Sequence, residues 1–115
     1  VNGFDKSRRL LAKHDYDYVF AQAHKVMTPH FIILYRHNEV GHARLGLALS
    51  KRMIAKAHDR NRVKRLLRES FRTKQQLPAI DIIVLAKPGV ARVENAILVH
   101  KLEQAWNKIR AKWLE

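Results

Sequence analysis

"KAHDRNRVKRLLRESFR", Lys56 to Arg72, places seven Lys or Arg in seventeen residues. Val63, Leu66, Leu67 and Phe71 run through it at helical spacing. At about 100° per residue these four share one stripe, and Ser70 falls among them. Asn61, Arg65, Arg68 and Arg72 form a continuous ridge on the opposite side. Arg62 and Lys64 flank that ridge, and Arg60 lies near the apolar edge. The spacing predicts an amphipathic helix over roughly 56–74, fastened by its apolar stripe to a core.

Two readings of its polar side compete. One is an ordinary wet face, which usually mixes charges in i, i+4 pairs. Here Glu69 is the one acid placed to pair, with Arg65 or Arg72. A ridge of like charges costs stability, so a polyanionic partner explains it better. Arginine also outnumbers lysine on this helix, and its planar fork suits phosphate and base stacking. Asn61 can donate and accept in one rigid group. A base edge, a ribose and its own backbone all remain open for it.

The whole chain points the same way. Its 115 residues suit a single domain over 1–115. Lys plus Arg number 23 against 10 Asp plus Glu, a formal +13. Residues 44–74 carry eleven of those bases against Asp59 and Glu69, so +9 is concentrated there. That concentration favours a binding face for a polyanion over general solubility. Hydrophobic residues make up 47%, enough for a folded core. The absence of cysteine excludes disulfides and thiolate metal sites. No apolar run reaches the roughly 18 residues of a membrane span, and "VNGFDKSRRLL" lacks a signal-peptide core. A soluble cytoplasmic protein, monomeric when free, is expected. The chain opens without an initiator Met, so its start is read as trimmed or altered.

Outward from the basic segment, short elements follow. "HDYDYVFAQAHK" (14–25) reads as a helix with Tyr16, Val19 and Phe20 on one side. "HFIILYRH" (30–37) is an apolar β run, and "RLGLALS" (44–50) alternates as a half-buried strand should. With "NEVGH" as the turn, these two are expected to pair as an antiparallel hairpin. Lys25, Val26 and Met27 are read as a further edge strand before Pro29. "IDIIVLAK" (80–87) is an apolar strand closed by Pro88-Gly89. "ENAILVHKLEQAWNKIRAKWL" (94–114) is a long helix with Leu98, Leu102, Ala105, Trp106, Ile109 and Trp113 on its core side. The order gives an α+β sandwich.

"GLALSKRMIAKAHDRNRVKRLLRES" closely resembles the signature of the bacterial ribonuclease P protein subunit. The matching parts are Ser50-Lys51-Arg52, Lys56-Ala57, Arg60-Asn61-Arg62-Val63-Lys64-Arg65 and Leu66-Leu67-Arg68-Glu69. "SRRLLAKHDYDYVF" and "AIDIIVLAKPGV" extend the likeness over nearly the whole chain. The resemblance implies an α-β-β-β-α-β-α order and a small, mostly antiparallel sheet. It also implies a left-handed crossover carrying the basic helix, against the general right-handed preference. The implied activity is removal of the 5′ leader from precursor tRNA. Catalysis then belongs to the RNA subunit with its Mg²⁺. By the same resemblance the polypeptide is expected to bind no cofactor of its own and to be inactive alone. Lys51, Arg52, Lys56, Arg60, Asn61, Arg62, Lys64, Arg65 and Arg68 carry over as contacts to the RNA subunit, and Arg72 continues their ridge. Tyr16 and Phe20, with Tyr18 beside them, carry over as leader contacts. Two departures from the family pattern stand out: Tyr16 stands where Phe is frequent, and His58-Asp59 occupy positions that vary and are often apolar or small.

Rival functions are less complete. A ribosomal-protein-like or translation-factor-like RNA-binding module explains the charge but not the ordered signature. A DNA-binding basic helix is a further alternative, which preference for duplex DNA over structured RNA would support. A stand-alone nuclease would require the RNA-free protein to cleave precursor tRNA, which is not expected. The chain's seven His form no metal-ligand spacing, and His37 and His42 merely flank a turn. No Ser–His–Asp order or carboxylate pair stands out.

Overall fold

"IDIIVLA", Ile80–Ala86, is the centre of the sheet, and its composition explains why. Six of its seven residues are buried, as expected of a strand covered on both faces. The computed structural model describes residues 6–74 and 77–114, the side chains of Trp113 and Leu114 excepted. The core position expected for Trp113 therefore lies outside the described side chains.

The elements run α1 (Lys13–Ala21), β1 (His24–Met27), β2 (Phe31–His37), β3 (Arg44–Ala48), α2 (Ala57–Thr73), β4 (Ile80–Ala86) and α3 (Asn95–Leu114). Short 3-10 turns occupy Lys6–Arg8 and Val90–Arg92. The four strands lie in the order β1-β2-β4-β3. β1 with β2 and β2 with β4 are antiparallel, whereas β3 with β4 is parallel. The β3-α2-β4 connection is thus a crossover between neighbouring parallel strands, and it carries the basic helix.

This corrects the expected hairpin. β2 and β3 do not pair, because β4 enters between them. β4 is apolar on both faces and gains more from the central position than half-polar β3 would. The "NEVGH" link is correspondingly no tight turn. Buried Asn38 organises it, with Nδ2 donating to the His42 carbonyl at 3.0 Å and the Val40 N–H donating to its Oδ1 at 3.0 Å. His37 and His42 take separate partners, Glu39 and the Ser7 carbonyl. The first helix also stops sooner than expected, at Ala21. Gln22 is already extended, and His24 and Lys25 join the edge strand.

The sheet separates two layers. On one face Phe31, Ile33, Tyr35, Leu45, Ile82 and Val84 pack against Val63, Leu67 and Phe71 of α2 and against Leu98, Leu102, Trp106 and Ile109 of α3. On the other, Ile83 meets Val19 of α1 and Leu10, with Leu34, Ala48, Leu85 and Tyr16 around them. The expected core stripe of α2 packs, and so does that of α3 from Leu98 to Ile109. The basic helix and the aromatic helix therefore lie on opposite faces of one sheet.

Candidate nucleic-acid interface

Burying Val63, Leu66, Leu67 and Phe71 leaves α2 a single outward face. Asn61, Lys64, Arg65, Arg68, Glu69 and Arg72 together line a shallow depression on it. Arg65 and Arg68 are exposed, and their side chains make no hydrogen bond or ion pair to a described residue. Asn61 is also exposed, with no side-chain bond back to described backbone. Arg72 is different. Its guanidinium pairs with Glu69, Nε to Oε2 at 3.1 Å and Nη2 to Oε1. That hydrogen bond, reinforced by charge, holds the Glu69 carboxyl below its usual range and raises Arg72.

Two basic residues of the signature have their forks engaged inside the protein. Arg60 Nη1 donates to the carbonyls of Ile54 and Ala55 at 2.8 and 3.0 Å. This ties the β3–α2 loop to the helix start. Arg62 donates to the Ala91 carbonyl at 2.8 Å, to the Val93 carbonyl at 3.5 Å and to the Asn95 side chain. It fastens α2 to the β4–α3 connection. Between Ser50 and α2, the Met53 and Ile54 N–H groups fold back on the Ser50 carbonyl at 3.2 and 3.0 Å. Ile54 plugs into the core, and Lys51, Arg52 and Lys56 around it stay exposed on the segment that leads into α2. Asp59 sits in the first turn of α2, where the helix dipole favours a negative charge.

On the other face, α1 is short and held from the sheet. Val19 is fully buried, whereas Phe20 is 49% exposed. Tyr16 is half-buried and reaches β3, its hydroxyl accepting from the Leu47 N–H at 3.2 Å. Tyr18 reaches β2 instead. Its hydroxyl donates to the His37 carbonyl at 2.7 Å, and the Arg36 guanidinium lies 3.8 Å from its ring centroid. The two tyrosines stand on opposite flanks of α1. Phe20, one turn after Tyr16, falls on the Tyr16 side. Tyr16 and Phe20 form one aromatic edge, and Tyr18 does not belong to it.

The fold that carries this basic ridge and aromatic edge is shared by solved proteins. The family model described as Ribonuclease P matches residues 4–110. The chain belongs to the ribonuclease P protein family. The ribonuclease P protein component of Legionella pneumophila (strain Corby) is 59% identical over 106 residues, 92% of each chain. That of Escherichia coli O157:H7 is 45% identical over 106 residues, 91% of this chain and 89% of its own. The RNase P protein of Staphylococcus aureus superposes with a TM-score of 0.80 at 31% identity, over 86% of this chain and 92% of its own. The one from Thermotoga maritima gives 0.78 at 27% identity, over 88% and 96%.

For a ribonuclease P family chain, two sets of residues were not singled out from the sequence. The first is the sheet surface beside α1, where Ile32, Leu34, Ala48 and Leu85 are half-buried and Met27 is exposed. The alternation of Ile32 and Leu34 with buried Phe31, Ile33 and Tyr35 was the available signal. The second is a polar network centred on buried Asp81. Its carboxylate accepts from Arg44 Nε and Nη2, both at 2.8 Å, and from Asn38 Nδ2 at 2.8 Å. The hydrogen bond to Asp81 holds the proton of Arg44 more firmly than usual. An acid within an apolar strand was visible, but its partners lie 37 and 43 residues away. Among the described residues no three His, Asp or Glu side chains converge.

Proposed function

We propose that this chain is the protein cofactor of a bacterial ribonuclease P, assisting removal of the 5′ leader from precursor tRNA in the cytoplasm. The ridge of Asn61, Lys64, Arg65, Arg68 and Arg72, with Lys51, Arg52 and Lys56 from the adjoining loop, binds the RNA subunit. Arg60 and Arg62 contribute charge there while holding the loops that shape the surface. The leader runs along the edge of α1, where Tyr16 and Phe20 offer stacking beside the sheet. Single strands bind best where aromatic platforms stand near positive charge, each stacked base contributing about 1–3 kcal/mol. Catalysis is the work of the RNA subunit and the Mg²⁺ it holds, and the polypeptide alone does not cleave.

One observation carries this reading: Arg65 and Arg68 point outward, without an intramolecular partner among the described residues, on a helix otherwise locked to the core. Unpaired like charges on a rigid scaffold are complementary to an anionic surface. The test is reconstitution of the purified protein with a bacterial ribonuclease P RNA at low Mg²⁺, assayed on precursor tRNA. Cleavage is expected with both components and absent with the protein alone. Equal affinity for unrelated structured RNAs, with no gain in processing, would favour a general RNA-binding module.

A further inference from the structure

β3 is the last strand of the sheet, and the outer side of such a strand presents unpaired backbone groups. The N-terminal segment covers it. The Leu10 N–H donates to the Leu45 carbonyl at 3.0 Å, and the Leu47 N–H donates to the Tyr16 hydroxyl at 3.2 Å. Between these contacts the Tyr16 ring lies directly on Gly46. A Cβ there would fall 2.8 Å from both Cζ and the hydroxyl oxygen of Tyr16. One residue earlier, Asp15 Oδ1 stands 3.5 Å from Arg44 Nη2. Arg44 is itself immobilised on Asp81 by two bonds of 2.8 Å.

We propose that Asp15 and Tyr16 are positioning residues, a two-point latch that fixes how α1 sits on the sheet and so aims Phe20 at the leader. The inference rests on the leader-binding role proposed above. A nine-residue helix is marginal by itself, and α1 has no side-chain cap at its start. Val19 is its one buried residue, and apolar contact alone is non-directional. On the β2 flank the Tyr18 hydroxyl donates to the His37 carbonyl and Arg36 Nη1 donates to the Tyr18 carbonyl at 2.6 Å, but neither holds the flank that carries Phe20. Arg44 and the Leu47 N–H of β3 donate to Asp15 and Tyr16, two successive residues, and fix that second flank, because each bond requires its own direction. The tyrosine hydroxyl is essential to this device, since phenylalanine would keep the ring on Gly46 and leave the Leu47 N–H without its acceptor.

The experiment uses the full chain with Tyr16→Phe, Asp15→Ala and both together, read by amide hydrogen exchange and by binding within the reconstituted complex. In the double variant the amides of 18–21 should lose protection by about tenfold or more, as a locally opened unit does. Those of β4 and α2 should keep wild-type protection. Affinity for leader-bearing precursor tRNA should fall about threefold to tenfold, the scale of one or two lost hydrogen bonds. Affinity for mature tRNA and for the RNA subunit should hold. If the double variant does not fold, Tyr16→Phe alone supplies both readouts. Wild-type protection of α1 overturns the latch. Lost protection with unchanged leader affinity overturns its positioning role. If wild-type protein itself shows no preference for the leader, the parent reading fails, while α1 protection still reports the latch.

Discussion

The indole N–H of Trp106 donates to the Ser70 hydroxyl at 2.9 Å, joining α3 to the buried face of α2. Both residues are buried, at 0% and 5% exposure, and Phe71 meets the same indole edge-on with centroids 6.3 Å apart. Ser70 lies in the stripe that holds the basic helix to the core. Ser70→Ala leaves a buried donor unsatisfied, at a cost of about 1–3 kcal/mol. Urea unfolding should show a lower midpoint with an unchanged slope. An unchanged midpoint would mean that Trp106 finds another acceptor.

The exposed ridge should behave oppositely, contributing to binding and little to stability. Arg65→Ala with Arg68→Ala removes two charges that make no described contact. The salt dependence of RNA-subunit binding should become shallower by about 1.4–1.8, from roughly 0.7–0.9 per phosphate contact. Thermal stability should hold or rise slightly as like-charge repulsion is relieved. Filter binding across a salt series measures this, and an unaltered slope would remove the ridge from the interface.

Arg62 separates the two roles within one motif. Its fork meets the Ala91 and Val93 carbonyls and the Asn95 side chain. Arg62→Lys keeps the charge but cannot span three acceptors. It should lower stability by about 1–3 kcal/mol and leave the salt slope of RNA binding close to wild type. A stable Arg62→Lys protein with a flattened slope would make Arg62 an RNA contact first.

What the sequence disclosed follows from how locally each feature is encoded. The stripe and ridge of α2 were legible because both repeat within one helix turn. So were the faces of α3, and the edge strand before Pro29. The β2–β3 hairpin was misjudged because adjacency in the chain favours pairing. The competing fact, that β4 is apolar on both faces, decides the order only once all strands are placed. In the sequence Arg62 reads as a flank of the ridge and Arg60 as lying near the apolar edge. Their acceptors are set by the loop at 54–55 and the connection at 91–95, beyond what helical periodicity encodes. Tyr18 reaches β2 whereas Tyr16 reaches β3, and proximity along the chain does not tell which flank of a short helix each takes.

Glu69 tempers the ridge by occupying Arg72. Glu69→Gln should release that guanidinium, strengthen RNA-subunit binding, and steepen the salt slope by about 0.7–0.9. Acid should mimic it only below the usual carboxylate range, because Arg72 holds the Glu69 carboxyl down. With a folded value lower than the unfolded one, the pairing persists at neutral pH and is lost as pH falls through the folded value. Wild-type affinity should therefore show no Glu69-dependent change between neutrality and mild acidity. A difference between wild type and Glu69→Gln that vanishes in that interval would contradict the pairing.

Phe20 gives the sharpest test of the second surface. It is half exposed, one residue beyond fully buried Val19, so truncating it removes a stacking platform with little loss of core. Phe20→Ala should weaken binding of leader-bearing precursor tRNA by about 1–3 kcal/mol, the value of one stacked base. Mature tRNA, which lacks the leader, should bind as before, and so should the RNA subunit on the opposite layer. Phe20→Trp should restore or exceed wild-type affinity, because stacking needs a flat ring and no particular base. Tyr18→Ala serves as the contrast. Its ring is already covered by Arg36 and its hydroxyl is held by His37, so leader discrimination should survive its loss. Equal losses for precursor and mature tRNA on removing Phe20 would place the leader elsewhere, and a greater loss from Tyr18→Ala would put it on the β2 flank of α1.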